Sequence, residues 1–175
     1  SLIFSDVVKN KYQSKQITMA KAVMNDGQEL LAVNDLFIGP RYQTSARYVI
    51  QLNGQREVQS SSGIIISTGL GSTGWLKSVV AGAFGVTGSR QSIDASFEWD
   101  ANQLKYAVRE PFPSQMTGTE LVYGSVKTNS EMTVSSLMAG NGVIFSDGMV
   151  DDYLEFNSGD VVELGIAEQS GVIVS

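Results

Sequence analysis

Residues 63–78 read G-I-I-I-S-T-G-L-G-S-T-G-W-L-K-S, and they constrain the architecture of the chain more than any other segment. The β-branched run at 64–66 is typical of a buried strand. Glycines at positions 69, 71 and 74 then free the backbone from steric limits, and residues 75–83 predict a short helix. A strand, a glycine turn and a helix N-terminus together predict a place where a nucleotide can lie against bare backbone.

The three glycines also match G-x-G-x-x-G, the fingerprint of dinucleotide-binding folds. Asp94 lies twenty residues beyond Gly74, where such a fold places an acid for the ribose. That fold requires a helix long enough to cross over to a parallel strand. Here Gly82 and Gly85 predict an early break of the helix, and residues 92–99 alternate like an antiparallel strand. We therefore do not expect a Rossmann site.

The rest of the chain has the pattern of an all-β protein. Turn signals separate short apolar-alternating runs, and Asn53-Gly54 predicts a tight hairpin because both residues tolerate positive φ. The predicted strands are 17–24, 30–38, 46–52, 57–59 with 63–67, 92–99, 104–108, 121–126, 132–137, 142–146, 152–156 and 161–166. Strands at this spacing predict stacked antiparallel sheets, with one short helix after the glycine turn. We expect a single domain over 1–175, with 1–16 as a helical or irregular initial segment.

Composition excludes several classes of partner. The chain has 175 residues, 42% of them hydrophobic, and a net charge of −6, which argues against binding a nucleic-acid backbone. It contains no cysteine and no histidine, so disulfides, thiolate metal sites and the usual general base are excluded. No apolar run approaches the ~20 residues that span a membrane. Without a targeting signal, we expect a cytoplasmic protein with no metal site of its own.

Three blocks carry a pattern that extends beyond the glycine turn. They are L-A-V-N-D-L-F-I at 31–38, G-I-I-I-S-T-G-L-G-S-T-G-W at 63–75, and F-S-D-G at 145–148 followed by G-D-V-V-E-L at 159–164. Together they resemble the C-terminal domain of NAD kinases, the family that phosphorylates the adenosine-ribose 2′-hydroxyl of NAD. The second block is the most specific, being similar to the family's D-G-I-I-V-S-T-P-T-G-S-T-A/G-Y. The resemblance covers nearly the whole chain.

This resemblance implies a set of residues that bind the acceptor nucleotide. Asn34 would hydrogen-bond the adenine edge, Asp35 would accept from a ribose hydroxyl, and Trp75 would stack on a base. The full implied set is Asn34, Asp35, Ser62, Thr73, Gly74, Trp75 and Ser78. The residues alone leave structural alternatives open: a β-bulge or turn cap at 34–35, a helix N-cap at Ser72 or Thr73, and a core plug at Trp75.

Four departures from the family pattern indicate a divergent branch. Asp35 stands where the family usually has Glu, and Ser62 replaces the family's Asp before the glycine. Gly69-Leu70 replaces Pro-Thr, and Trp75 replaces Tyr. A related kinase with an acceptor other than NAD is therefore a second hypothesis.

The residues that are absent decide the expected activity. The chain contains no G-G-D-G loop, which in the family supplies the catalytic aspartate from an N-terminal α/β domain, and no P-loop. Phosphoryl transfer needs a positioned base and a metal–phosphate clamp. We therefore expect the acceptor-binding and oligomer-forming half of an NAD kinase-like enzyme that uses ATP and Mg²⁺. This half would contribute no catalytic residue, bind neither ATP nor metal, and be inactive alone. A non-catalytic interaction domain that has lost ligand binding is a third hypothesis.

Overall fold

The computed structural model describes residues 13–88 and 94–174. Its strands are β1 (Ser14–Ile17), β2 (Ala20–Met24), β3 (Glu29–Ala32), β4 (Asp35–Pro40), β5 (Ala46–Leu52), β6 (Gln55–Ser61), β7 (Ile64–Ser67), β8 (Gln103–Val108), β9 (Tyr123–Lys127), β10 (Met132–Ser136), β11 (Gly142–Ser146), β12 (Tyr153–Glu155), β13 (Val161–Ile166) and β14 (Gly171–Val174). A 3-10 helix (Gly71–Thr73) and the α-helix α1 (Trp75–Thr87) follow β7.

The strands form two six-stranded antiparallel sheets and one separate pair. Sheet I has the order β3-β2-β13-β10-β5-β6, and sheet II has the order β12-β11-β4-β7-β8-β9. Strands β1 and β14 pair with each other. This architecture confirms the predicted all-β fold of stacked antiparallel sheets with a helix after the glycine turn. Since β7 is antiparallel to both neighbours, β4 and β8, the glycine turn does not belong to a parallel crossover unit.

The core lies between the two sheets. Sheet I contributes the fully buried Tyr48 and Ile50, and sheet II contributes Ile64, Ile66 and Tyr106. Ile65 points the other way and is also fully buried, because α1 and the segment that follows it cover the outer face of sheet II. Coverage of both faces explains why this strand is a continuous isoleucine run rather than an alternating one.

The predicted hairpin at Asn53-Gly54 is confirmed. These residues join β5 to β6 with φ of 49° and 83°, the left-handed values that a two-residue turn demands. The predicted break of the helix was wrong, since α1 continues to Thr87 and ends before Gly88, whose φ is 64°. A Cβ at Gly82 or Gly85 would meet nothing within 4 Å, so both glycines lie in open space on the helix. Each costs only about 1 kcal/mol relative to alanine, which packing of α1 on the sheet offsets.

The predicted strand at 92–99 was also wrong over residues 94–99, which form no strand; residues 92 and 93 lie outside the described part. Asp94 instead accepts a hydrogen bond from the Ser96 backbone N–H (3.0 Å), a local turn that competes with sheet pairing. Of the predicted initial segment, residues 14–16 belong to β1, and residues 1–12 lie outside the described part. Within the described ranges, no helix is long and apolar enough to cross a membrane.

Candidate functional site

The chain passes from sheet I to sheet II through a bend at Val33–Asn34. Sequence analysis predicted one strand over 30–38, but the structure has two strands, β3 and β4, in different sheets. The carboxylate of Asp147 accepts hydrogen bonds from the backbone N–H groups of Val33 (3.0 Å), Asn34 (2.6 Å) and Asp35 (3.2 Å). These amides are thereby satisfied without a strand partner, so the chain can turn away from sheet I.

Asp147 reaches the bend from a turn in which its own φ is 52°. Aspartate is one of the few non-glycine residues that adopt this left-handed conformation readily. Its backbone N–H also donates to the carbonyl oxygen of Asp35 at 2.9 Å. Asp147 therefore fixes the bend with both its side chain and its backbone.

The glycine turn packs against the same bend. The Thr68 hydroxyl lies 2.7 Å from the Val33 carbonyl oxygen, to which it donates, and it accepts from the Gly71 N–H at 3.2 Å. The Thr68 backbone N–H donates to the carbonyl oxygen of Asn34 at 2.9 Å. A Cβ at Gly71 would lie 2.1 Å from that same oxygen, closer than any real contact. Glycine is required here because two backbone segments touch.

The other two glycines of the turn have different surroundings. A Cβ at Gly69 would lie 2.0 Å from the carbonyl oxygen of Glu98, so this glycine also serves backbone packing. A Cβ at Gly74 would meet only the carbonyl oxygen of Gly71, at 3.3 Å. The third glycine is thus the least crowded of the three, although a Cβ there would still make a tight contact with this backbone oxygen.

Neither Ser72 nor Thr73 caps α1, which was the structural alternative left open for them. Gly74 is the N-cap of α1, with no side-chain hydrogen bond. The Ser72 hydroxyl instead donates to the carbonyl oxygen of Gly69 (2.7 Å) and accepts from the Phe97 N–H (3.3 Å). Ser72 is thus used to hold the turn against the segment that follows α1.

A cavity of about 360 Å³ opens where the bend, the glycine turn and the Asp147 turn meet. We call it the bend pocket. It is lined by Asn34, Asp35, Leu70, Gly71, Thr73, Gly74, Trp75, Asp147 and Gly148. Ligand pockets typically measure about 300–1,000 Å³ and combine an apolar wall with a few placed polar groups. This cavity has both, and its volume suits a nucleoside better than a whole dinucleotide.

Asp35 is the chemically distinctive residue of the bend pocket. Its side chain is buried, with 8% exposed, whereas the neighbouring Asn34 is exposed. Burial, together with the negative charge of Asp147, raises the pKa of Asp35 to about 6. Among the described residues no cation and no hydrogen-bond donor contacts its carboxylate. The carboxylate is therefore available to accept a hydrogen bond from a ligand.

The Trp75 indole forms one wall of the bend pocket. It stacks on the Phe37 ring with centroids 5.5 Å apart and planes 12° from parallel, and Phe37 stacks in turn on Phe145 at 4.9 Å. The Arg109 guanidinium lies 5.5 Å from the centroid of the indole. Trp75 is half-buried, so the sheet fixes its ring while part of its surface faces the cavity.

The Phe37 ring explains why position 63, just before the isoleucine run, is a glycine. A Cβ at Gly63 would lie 2.7 Å from the Phe37 ring, and the φ of Gly63 is 111°. Glycine at this position leaves the space in which Phe37 supports Trp75. The motif thus builds the aromatic wall as well as the turn.

No family model matches the chain, and no curated protein matches it in sequence. Among solved structures, the chain is similar to yeast NADH kinase, determined in complex with NADH, with a TM-score of 0.68 and 12% sequence identity. The match covers 99% of this chain and 48% of the kinase chain, so this chain spans about half the length of that enzyme. The shared architecture is that of the NAD kinase C-terminal β-domain. At this identity the likeness establishes the fold.

The structure brings five of the seven implied site residues together. Asn34, Asp35, Thr73, Gly74 and Trp75 all line the bend pocket. The two remaining residues, Ser62 and Ser78, lie elsewhere. Ser62 lines a separate cavity near Arg109, and Ser78 lies on the exposed side of α1, where its hydroxyl donates to the carbonyl oxygen of Gly74 at 3.3 Å.

Sequence reasoning missed Asp147 and Phe37 as residues that build the site. The signal for Asp147 was present in the D-G pair at 147–148, which resembles the family's closing D-G. Asp151 and Asp152, which follow closely in sequence, are exposed and do not line the bend pocket. Phe37 carried no signal beyond being an apolar strand residue.

Proposed function

We propose that this chain is the acceptor-nucleotide-binding half of an NAD kinase-like phosphotransferase, which converts NAD to NADP with ATP. The observation that carries the proposal is the bend pocket, where the mostly buried Asp35, whose carboxylate no described donor contacts, lies beside Gly74 and Trp75. The fold shared with the β-domain of NADH kinase supports it. The same proposal includes a cytoplasmic location and a homo-oligomeric enzyme.

The chemistry of the bend pocket suits a nucleoside. A ribose hydroxyl can donate to the Asp35 carboxylate, which is mostly ionised above its pKa of about 6. The exposed amide of Asn34 offers both a donor and an acceptor, as the edge of adenine requires. The Trp75 ring provides an apolar surface for a base, and the missing Cβ at Gly74 lets the ligand approach the backbone.

ATP, Mg²⁺ and the catalytic base belong, in this proposal, to the part of the enzyme that this chain does not span. Among the described residues no group of three or more acidic side chains could hold a metal ion. In this proposal the chain contributes binding and orientation of the acceptor. We expect no turnover from the 175-residue chain alone.

The test is an acceptor screen with the full-length protein. It is incubated with ATP and Mg²⁺ and with NAD, NADH or other nucleosides, and phosphorylated products are separated chromatographically. Formation of NADP by the full-length protein, and none by the 175-residue chain, supports the proposal. If a different nucleoside is phosphorylated instead, that nucleoside and not NAD is the acceptor. NADP formation by the 175-residue chain alone would refute the proposal that the catalytic residues lie outside it.

The residues are tested in the same assay with Asp35→Asn and a matched control, Asp151→Asn, which changes an exposed aspartate outside the bend pocket. We expect Asp35→Asn to weaken acceptor binding about tenfold or more, the loss of a charged hydrogen bond of ~1.5–3 kcal/mol. The control should bind as the unmodified protein does. Equal affinities for all three proteins would exclude the bend pocket as the acceptor site.

A further inference from the structure

A second, larger cavity lies on the other side of the aromatic wall. Its volume is about 740 Å³, and it lies between the loop after β4 and the residues that follow β8. It is lined by Phe37, Pro40, Arg41, Tyr42, Gln43, Thr44, Ser45, Ser62, Arg109 and Glu110. We call it the arginine cavity. It shares no polar lining residue with the bend pocket, and the Phe37–Trp75 stack lies between the two.

Two guanidinium groups line the arginine cavity, and neither is neutralised within the described part of the chain. The ion pairs there are Lys15–Glu98 and Lys21–Glu29, and neither involves Arg41 or Arg109. The remaining charged residue of the lining is Glu110, so the lining carries a net positive charge in a chain whose total charge is −6. A local excess of positive charge in a concave site attracts anions.

Aromatic rings hold both guanidinium groups in place. Arg41 donates from Nη1 to the Tyr153 hydroxyl at 2.6 Å and lies 4.5 Å from the centroid of that ring. Arg109 lies 5.5 Å from the centroid of the Trp75 ring. A guanidinium fixed by stacking loses less conformational freedom on binding, and its remaining N–H groups stay available to a ligand.

The backbone beneath Arg109 is fixed as well. The Arg109 N–H donates to the carbonyl oxygen of Gly63 at 2.8 Å, and the Ser62 N–H donates to the carbonyl oxygen of Arg109 at 2.9 Å. Glu110 follows with a φ of 48°, a left-handed conformation that glutamate rarely adopts. Strained backbone of this kind occurs preferentially at ligand sites.

We propose that the arginine cavity binds a phosphate or diphosphate group. The two guanidinium groups match the charge of a phosphate or diphosphate, and arginine donates to phosphoryl oxygens in pairs. The hydroxyls of Thr44, Ser45 and Ser62 add donors around the same space. This inference goes beyond the acceptor pocket, because it concerns a different cavity and different residues, and it does not depend on which nucleoside the bend pocket binds.

The probe is inorganic pyrophosphate, titrated calorimetrically into the 175-residue chain at low salt without Mg²⁺. Arg41→Gln and Arg109→Gln should each weaken binding about tenfold, and Glu110→Gln should strengthen it about threefold, because a repelling carboxylate is removed. The matched control is Arg56→Gln, an exposed arginine on β6 outside the cavity lining, which should bind as the unmodified protein does. Circular dichroism confirms that each variant is folded.

The variants distinguish pyrophosphate bound in the arginine cavity from pyrophosphate bound elsewhere on the protein. Unchanged affinity in both Arg41→Gln and Arg109→Gln would refute the proposal, and so would an equal loss in Arg56→Gln, which would indicate unspecific attraction by net charge. Weaker binding by Glu110→Gln would also refute it, since a carboxylate facing a bound anion must oppose binding. The acceptor screen remains interpretable in each case.

Discussion

Replacing Asp35 by Asn should make the protein more stable at neutral pH and a weaker binder of its acceptor. Asn is nearly isosteric with Asp, so the substitution removes the charge and leaves the packing of the bend unchanged. The fold holds this carboxylate buried and close to the carboxylate of Asp147, and both conditions oppose ionisation. The neutral amide avoids this cost, and it can donate to Asp147.

The size and sign of the effect follow from the pKa of Asp35, which is about 6 in the folded protein against an ordinary value of 3.8. Below pH 3.8 the carboxyl is protonated in both folded and unfolded chains and carries no penalty. As the pH rises to about 6, the unfolded chain releases its proton first, so the free energy of unfolding falls. Above pH 6 the penalty is complete; at 1.36 kcal/mol per pKa unit its upper limit is about 3 kcal/mol, and water that reaches the carboxylate reduces it. For a domain of this size, the rise in Tm for Asp35→Asn should therefore not exceed about 6–12 °C.

Thermal unfolding of the 175-residue chain, of Asp35→Asn and of the control Asp151→Asn, each at pH 3.5 and pH 7.5, tests this reasoning. The Tm advantage of Asp35→Asn should be present at pH 7.5 and absent at pH 3.5, and Asp151→Asn should show none. Acceptor binding, measured in parallel, should weaken in Asp35→Asn. A destabilised Asp35→Asn at pH 7.5, or an advantage independent of pH, would refute the account of a penalised carboxylate. Loss of stability with normal binding would favour a purely structural role at the bend.

Three further predictions concern the bend and the turn. Gly71→Ala should destabilise the fold severely, because its Cβ would lie 2.1 Å from the Asn34 carbonyl oxygen. Gly74→Ala should fold and cost far less, because its Cβ would meet only the Gly71 carbonyl oxygen at 3.3 Å and the remaining strain is that of its backbone, with φ −100° and ψ −113°. Gly74→Val should fold but lose acceptor binding. Chemical denaturation with parallel calorimetry checks this, and equal stability of the two alanine variants would contradict it. Asp147→Ala should lower the free energy of unfolding by about 2–3 kcal/mol, since amide hydrogen bonds to a charged acceptor are lost. Asp147→Asn should lower it by less. If urea denaturation shows Asp147→Ala to be as stable as the unmodified protein, Asp147 does not stabilise the bend. Trp75→Ala should weaken acceptor binding by about 1–3 kcal/mol and Trp75→Tyr should largely restore it; unchanged calorimetric affinity of Trp75→Ala would exclude stacking on the ligand.

The sequence predicted the layers of the fold well because their signals are local. Alternation along β5 and the turn residues Asn53-Gly54 identify a hairpin whatever surrounds it. The length of α1 was wrong because packing against sheet II, a long-range contact, offsets the low helix propensity of Gly82 and Gly85. The residues at 94–99 alternate like a strand, yet their backbone bonds to Asp94 and Ser72 instead of to a sheet.

The candidate site was predictable only in part, because some of its contacts join residues that are distant in sequence. Asn34 and Asp35 stand out in the sequence as a polar interruption of an apolar run, and the structure accounts for them as the crossing between two sheets. Asp147 contacts them from more than a hundred residues away in sequence, and no local pattern encodes such a contact. Arg41 and Arg109, also distant in sequence, share a cavity only because their strands belong to the same sheet.

The two carboxylates of the bend have opposite consequences for the protein. Asp147 accepts three backbone N–H groups, so its charge is satisfied and it stabilises the crossing between the sheets. That same charge, with burial, raises the pKa of Asp35, which has no donor of its own among the described residues. The fold thus stabilises the bend at Asp147 and leaves the Asp35 carboxylate without a protein donor among the described residues. A ligand hydroxyl that donates to it would remove part of the penalty on binding. Acceptor affinity should accordingly fall as the pH drops through about 6, and this dependence should disappear in Asp35→Asn. Calorimetric titrations between pH 5 and pH 8 measure both slopes, and a pH-independent affinity of the unmodified protein would show that Asp35 does not contact the ligand.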